Sequence, residues 1–219
     1  MTLLGKNPVR TIGTSRSYLT GKVSLDGGGM ASFESSLERD WLVVLDFDPA
    51  VTSLLEQPFS IKYFAGGRER RYTPDVMAEF KHANSTETIV YEVKPREILR
   101  ANWKRYKPRF KAAVHYCRER GWRFKIMTEN EIRTAYLENA KFLRRYRNLP
   151  DQKLICDQLI YTFRALGPTT PQALLAAAYW PREDQMKAIP MMWKMVTDGR
   201  IGVLLHEPLT MASEIWLGA

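Results

Sequence analysis

The sequence predicts an α/β fold built on a central mixed sheet, followed by a small, mainly helical C-terminal domain. Three observations predict it. Residues 72–94 hold two runs rich in β-branched and aromatic residues around a polar break, which reads as an antiparallel hairpin. Apolar stripes at helical spacing lie on both sides of that hairpin, and another strand-like run follows at 122–127. After Asn148-Leu149-Pro150-Asp151 short helices take over and the charge changes sign. For 219 residues, one domain with a smaller second one is the natural expectation.

The net charge of +9 is unevenly spread. Residues 1–30 carry four basic and one acidic side chain, residues 31–150 carry 23 and 16, and residues 151–219 carry six and seven. A basic first two-thirds suits a phosphate-backbone partner, because each phosphate neutralised by Lys or Arg releases counterions. The last third does not. No apolar run reaches membrane-span length, and the start, with Lys6, Pro8 and Arg10, lacks an apolar signal core, so the cytoplasm is the expected location. Cys117 and Cys156 form no C-x-x-C pair and His82, His115 and His206 are scattered, which argues against a disulfide framework and a zinc site.

Residues 1–31 read as an irregular basic arm, with Gly27-Gly28-Gly29 as a break; Arg10, Arg16 and Lys22 either touch DNA or stay solvated. A helix is expected over 33–47, with Ser32 as N-cap and Phe33, Leu37, Trp41, Val44 and Leu45 as its core stripe. Glu34 and Glu38, four apart, would share a face beside that stripe. Asp48-Pro49 ends the helix, because a residue before proline avoids helical angles. Short strands follow at 51–55 and 59–64, separated by Glu56-Gln57-Pro58 and closed by Gly66-Gly67. Arg68, Arg70 and Arg71 are either phosphate contacts or a charged edge.

The hairpin carries the chemistry. Its first strand begins at Tyr72-Thr73-Pro74-Asp75 and its second ends at Glu92-Val93-Lys94, with a turn expected within 81–87. Side chains alternate along a strand, so Glu92 and Lys94 face one way, and pairing brings Asp75 beside them. Two carboxylates and a lysine at one point suit magnesium-dependent cleavage of a phosphodiester: the acids hold a hard cation, and the lysine positions the nucleophile or screens charge. An ordinary cross-strand Glu/Lys pair is the plainer alternative.

Between residues 94 and 125 there are twelve Lys or Arg against Glu97 and Glu119, interleaved with Trp103, Tyr106, Phe110 and Tyr116. This predicts two helical pieces with a bend and restart at Pro108, their apolar face on the sheet. Arg100, Lys104, Arg105, Lys107, Arg109 and Lys111 are left as phosphate contacts, or as a solvated basic face. Gly121 stops the helix, 122–127 reads as a strand, and Thr128-x-x-Glu131 is a capping box opening a helix to about Arg147. Beyond residue 150, a helix, the Gly167-Pro168 turn, a helix capped by Thr170 with Pro171 at its first position, a third helix and a β-ribbon suggest a winged-helix-like module. Its negative charge favours docking to a protein over binding DNA. Ala176-Ala177-Ala178-Tyr179-Trp180 is either core or interface.

Pro74-Asp75 followed at strand distance by Glu92-Val93-Lys94 spells the PD-(D/E)xK nuclease motif. With Ser36-Leu37-Glu38-Arg39-Asp40 and Glu56-Gln57-Pro58 before it, the chain resembles the TnsA endonucleases of multi-subunit bacterial transposons. The resemblance implies a restriction-endonuclease-like domain over 32–149 and a partner-docking domain over 150–219. It implies Mg²⁺, replaceable by Mn²⁺, and assigns Asp75 and Glu92 as metal ligands, with the Val93 carbonyl also facing the metal. Glu38, favoured over Glu34, would complete the site, Lys94 would assist the attacking water, and Gln57 would either approach the site or hold a strand start. The implied partners are double-stranded transposon ends, a DDE transposase, and a regulatory ATPase docking on the C-terminal domain. The competing expectations are an autonomous restriction or repair nuclease of the same fold, and a silent adaptor between DNA and the ATPase.

Overall fold

The computed structural model describes residues 21–25 and 29–218. The expected contacts of Arg10 and Arg16 lie outside them. The described residues form two compact units, divided between Arg133 and Thr134.

The first unit opens with strands β1 (Gly21–Ser24) and β2 (Met30–Phe33), paired antiparallel, so the arm expected to be irregular up to residue 31 is partly sheet. Ala31 and Phe33 are buried and Ser32 donates its N–H to the Glu56 carboxylate, so Ser32 is a strand residue and not a helix cap. Helix α1 (Ser36–Phe47) starts later. Its cap is Ser35, which is extended and whose hydroxyl accepts the Glu38 N–H. Leu37, Trp41 and Leu45 keep their predicted core positions at i, i+4 and i+8, whereas Val44 is only half-buried.

A four-stranded sheet has the order β3 (Val51–Glu56), β6 (Val76–His82), β7 (Ser85–Val93), β8 (Arg123–Met127). The first two pairings are antiparallel and β7 to β8 is parallel, which gives the mixed sheet the sequence predicts. The hairpin turn is tighter than expected: His82 pairs with Ser85, so the polar residues around Ala83-Asn84 are exposed strand ends. Between β3 and β6 stands a separate hairpin, β4 (Ile61–Ala65) and β5 (Arg68–Tyr72). Its two-residue turn, Gly66-Gly67, has φ of 61° and 70°, which glycine adopts without steric cost.

Parallel pairing of β7 with β8 needs a long crossover, and helix α2 (Arg96–Arg118) supplies it. Residues 89–93 are buried throughout, as expected of a central strand covered on both faces. Tyr91 meets Trp41 of α1 edge-on at 5.0 Å. On the other face Val90 packs with Leu55, Met77 and Cys117, beside a cluster of Ile61, Tyr72, Leu99, Phe110 and Ala113. The bend in α2 falls at Asn102 (φ −114°, ψ 15°) and not at Pro108, which lies within the helix. Proline there leaves the Lys104 carbonyl without its helical donor.

The capping box closes as predicted, Thr128 and Glu131 bonding reciprocally, but it opens only the single turn α3 (Glu129–Ile132). Arg133 leaves helical geometry and its guanidinium bonds Asp40 and Ser36 of α1. Helix α4 (Ala135–Arg147) therefore starts afresh and belongs to the second unit, not to the domain ending at residue 149. Phe142 meets Trp193 at 5.3 Å, and Asn139 donates to the Leu205 and Glu207 carbonyls and accepts the Leu209 N–H.

The rest of this unit is α5 (Lys153–Leu166), α6 (Pro171–Ala178), α7 (Arg182–Thr197) and the antiparallel pair β9 (Ile201–Val203) and β10 (Ile215–Leu217). Thr169 bridges to Ile215, adding a third short stretch to the ribbon between α5 and α6. Gly202 lies under the Trp216 indole, where any Cβ would collide. No helix among the described residues is long and apolar enough to cross a membrane.

Candidate active site

Asp75 is fixed by its backbone on both sides. Its N–H bonds the Tyr91 carbonyl at 3.0 Å and its carbonyl accepts the Gln57 N–H at 2.9 Å, so the residue just before β6 is locked between β7 and the chain leaving β3. Its Oδ2 accepts the Val93 N–H at 2.7 Å. Glu92 points from the opposite face to Tyr91, toward α2, and is only 2% exposed. A carboxylate so deep needs partners. It has three: the Tyr72 hydroxyl at 2.7 Å, Arg109 Nη2 at 2.7 Å, and Lys94 Nζ at 3.8 Å.

Glu38 enters from the first turn of α1. Its Oε2 accepts the Glu34 N–H at 2.8 Å and its Oε1 accepts the Ser35 hydroxyl at 3.0 Å, so the same capping geometry that starts the helix aims this acid. Burial, then the charge of Asp75, pushes the Glu38 carboxyl up to about 7. Burial, then Glu92, likewise raises Asp75 well above the usual carboxylate range. Lys94 moves the other way electrostatically: burial works against its charge, but Asp75, Glu92 and Glu38 outweigh it and hold its amine above the ordinary lysine value. Four predicted residues thus feel one another's charge at the ends of α1, β6 and β7.

Residues 48–129 match the family described as TnsA-like endonuclease N terminal. Over this span the chain is similar to a TnsA-like endonuclease domain. No curated protein matches it. The matched span contains Asp75, Glu92, Lys94 and all of α2, whereas Glu38 lies outside it and joins the group through its charge interaction with Asp75 and Lys94.

The other predicted residues divide. Glu34 stands before the helix, not on a face shared with Glu38, and its Oε1 accepts the Gln57 side chain at 3.4 Å. Gln57 is buried with φ of 42°, its Oε1 without a donor among the described residues, and its backbone holds Asp75 in place. Arg100, Lys104, Arg105, Lys107 and Lys111 are exposed on α2, which suits phosphate contacts and a solvated basic face alike. Lys104 and Arg105 line a cavity of about 620 Å³, Arg100 lines a smaller one of about 360 Å³ with Trp103, and Lys107 and Lys111 line neither. Arg109, expected on the DNA-facing surface, instead turns in to Glu92, its guanidinium 4.1 Å from the Tyr106 ring centroid and 5.1 Å from that of Tyr72. Tyr72 is the participant that sequence reasoning passed over. Nothing in the local pattern marks it, because its hydroxyl meets Glu92 only once β5 is packed against α2.

Among the described residues the acids are not drawn into a ready metal cluster, since Glu92 is engaged by Arg109 and Tyr72. The donor set nevertheless suits a hard cation: all are carboxylate oxygens, and Asp75 Oδ1 takes no hydrogen bond among the described residues. Burial, and then their neighbouring acids, make ionised Glu38 and Asp75 costly, and a divalent cation would offset that cost.

Proposed function

We infer that this protein is the endonuclease subunit of a heteromeric transposase. It hydrolyses the strands at the 5′ ends of a cut-and-paste transposon, while a DDE transposase cuts and joins the 3′ ends. The observation that carries the reading is the meeting of Asp75, Glu92, Lys94 and Glu38 within and beside a TnsA-like domain. A bound Mg²⁺, for which Mn²⁺ would substitute, would neutralise phosphate charge and acidify water. Asp75 and Glu92 would hold it, with Glu38 and the Val93 carbonyl as further oxygen donors. Lys94 is an ammonium at neutral pH, because the acids around it stabilise its charge. It therefore orients the attacking water and screens phosphate through its N–H donors and is not a general base. The exposed cations of α2 would hold the DNA backbone.

The second unit is the docking module. Three of its four helices, α5 to α7, with the β9–β10 ribbon support a winged-helix reading, and its exposed apolar side chains support a protein partner, which we read as the regulatory ATPase. Leu154 and Tyr161 stand exposed on one face of α5, and Gln158 between them donates to the Ala178 carbonyl, two residues before Trp180, which is 96% exposed.

Strand-resolved cleavage of a transposon-end duplex in Mg²⁺ or Mn²⁺, with and without the companion transposase, tests the reading. Cutting at the 5′ boundary only with the transposase, lost in Lys94→Ala, is the expected result. Cutting by the protein alone would indicate an autonomous nuclease, and no lysine-dependent cutting under any condition would leave an adaptor.

A further inference from the structure

Hairpin β4–β5 and helix α2 form two walls of the 620 Å³ cavity. Arg70 and Arg71 come from the hairpin, and Lys104, Arg105 and Arg109 come from the helix. No acid lines it, and none of Arg70, Arg71, Lys104 and Arg105 is paired with an acid among the described residues. The one acid on β5, Glu69, is engaged by Lys62 at 3.1 Å. Arg70, Lys104 and Arg105 put unpaired like charges around one opening, beside Arg109, whose charge Glu92 meets; they repel each other, and an anion relieves that repulsion. The volume is within the range of ligand pockets, about 300–1,000 Å³.

Arg109 belongs to this cavity and to the candidate active site at once. Its Nη2 donates to Glu92, its guanidinium lies close to the Tyr106 and Tyr72 rings, and its Nε is buried with no acceptor among the described residues. A buried N–H without a partner is costly, and a phosphate oxygen is an acceptor of the right charge for it.

We propose that the cavity between β4–β5 and α2 seats the phosphodiester backbone of DNA beside the cleavage site, and that Arg109 is the positioning residue linking it to Glu92. The link rests on the endonuclease reading; the seat does not. A phosphate in the cavity takes the donors of Arg109 and draws its charge off Glu92, whose oxygen then accepts the cation. Without DNA, Arg109 competes with the cation for that oxygen. DNA and divalent cation therefore bind with positive and reciprocal coupling.

The test uses the full chain and a duplex with a non-hydrolysable linkage. In metal-free buffer, Arg70→Ala/Lys104→Ala is expected to weaken duplex binding about tenfold or more and to flatten its salt dependence by roughly 0.9 for each phosphate no longer neutralised. Lys81→Ala/Arg118→Ala removes the same charge away from the cavity. Equal weakening in the two double variants would overturn the seat. Duplex affinity unchanged in Arg70→Ala/Lys104→Ala while binding of inorganic phosphate is lost would reassign the cavity to a free anion. Mn²⁺ binding, read by electron paramagnetic resonance, should be at least about fivefold tighter with duplex than without. Arg109→Gln should bind Mn²⁺ well without duplex and lose the enhancement. Equal Mn²⁺ affinity of the wild type with and without duplex would overturn the link, and this comparison needs no variant to fold. No Mn²⁺ binding under any condition, with duplex binding intact, would instead sink the metal-dependent nuclease reading and leave the seat standing.

Discussion

At the scale of single residues, the site is defined by acids held where their charge is unwelcome. Glu38 has a folded-state carboxyl raised to about 7 from an ordinary 4.5 by burial and then by Asp75. Its neutral form is favoured by the fold, so its contribution to stability is fully present below about pH 4.5 and is lost as pH rises through about 7. The metal-free protein should therefore grow more stable on acidification across that window, where carboxylates in favourable pairs would act the other way. Glu38→Gln should flatten this slope and raise the stability of the metal-free protein at pH 8 by about 1 kcal/mol, well under what the full shift would give, because water and side-chain relaxation screen part of the repulsion. Thermal denaturation at several pH values with chelator present measures it. A slope unchanged in the variant would remove Glu38 from the group. Lys94 belongs to the same balance with the opposite sign, since three acids hold its charge in place.

At the scale of elements, each site residue is aimed by a structural feature with a local cause. Glu38 is aimed by the cap of α1, Asp75 by the backbone bonds at the start of β6, and Glu92 by strand alternation on β7. Ser35→Ala should cost about 1 kcal/mol through removal of the cap. It should also release Glu38 Oε1 and so raise the metal concentration needed for half-maximal cleavage, with the maximal rate little changed; a metal titration of cleavage separates the two effects. Asp75, Glu92 and Lys94 were legible in the sequence because strand period and hairpin pairing are short-range rules. The mixed sheet was legible for the same reason. The start of α1 was not, because Ser32 and Ser35 are both good caps and only the pairing of β2 with β1 removes Ser32 from the choice. The break at Arg133 was hidden too: its cause is an arginine reaching Asp40, 93 residues away. Arg109 shows the same limit, since its spacing on α2 gives a basic residue but not its direction, which Glu92 and the aromatic rings decide.

At the scale of the whole molecule, the chain divides its work between two units, and the division alters one charge argument. Residues 151–219 are net negative, but α4 belongs with them, and residues 134–219 carry ten basic and eight acidic side chains. Net charge thus gives no reason to keep DNA away from the second unit. The reason to assign it to a protein partner is its surface: Leu154, Tyr161, Trp180 and Met186 are all large, apolar and mostly exposed. Scattered exposed side chains of this kind need no explanation, but Gln158 ties the face of α5 that carries Leu154 and Tyr161 to the end of α6, two residues before Trp180. Aromatic side chains dominate the energetics of protein interfaces. Tyr161→Ala/Trp180→Ala should therefore weaken binding of the proposed ATPase partner by about 2 kcal/mol or more, roughly 30-fold. The same variant should keep the duplex affinity of the wild type, because the cavity cations belong to the first unit. Titration calorimetry against the ATPase and anisotropy against duplex read the two separately. Loss of both would mean that the units bind DNA jointly, and loss of neither would move the docking surface off α5 and α6.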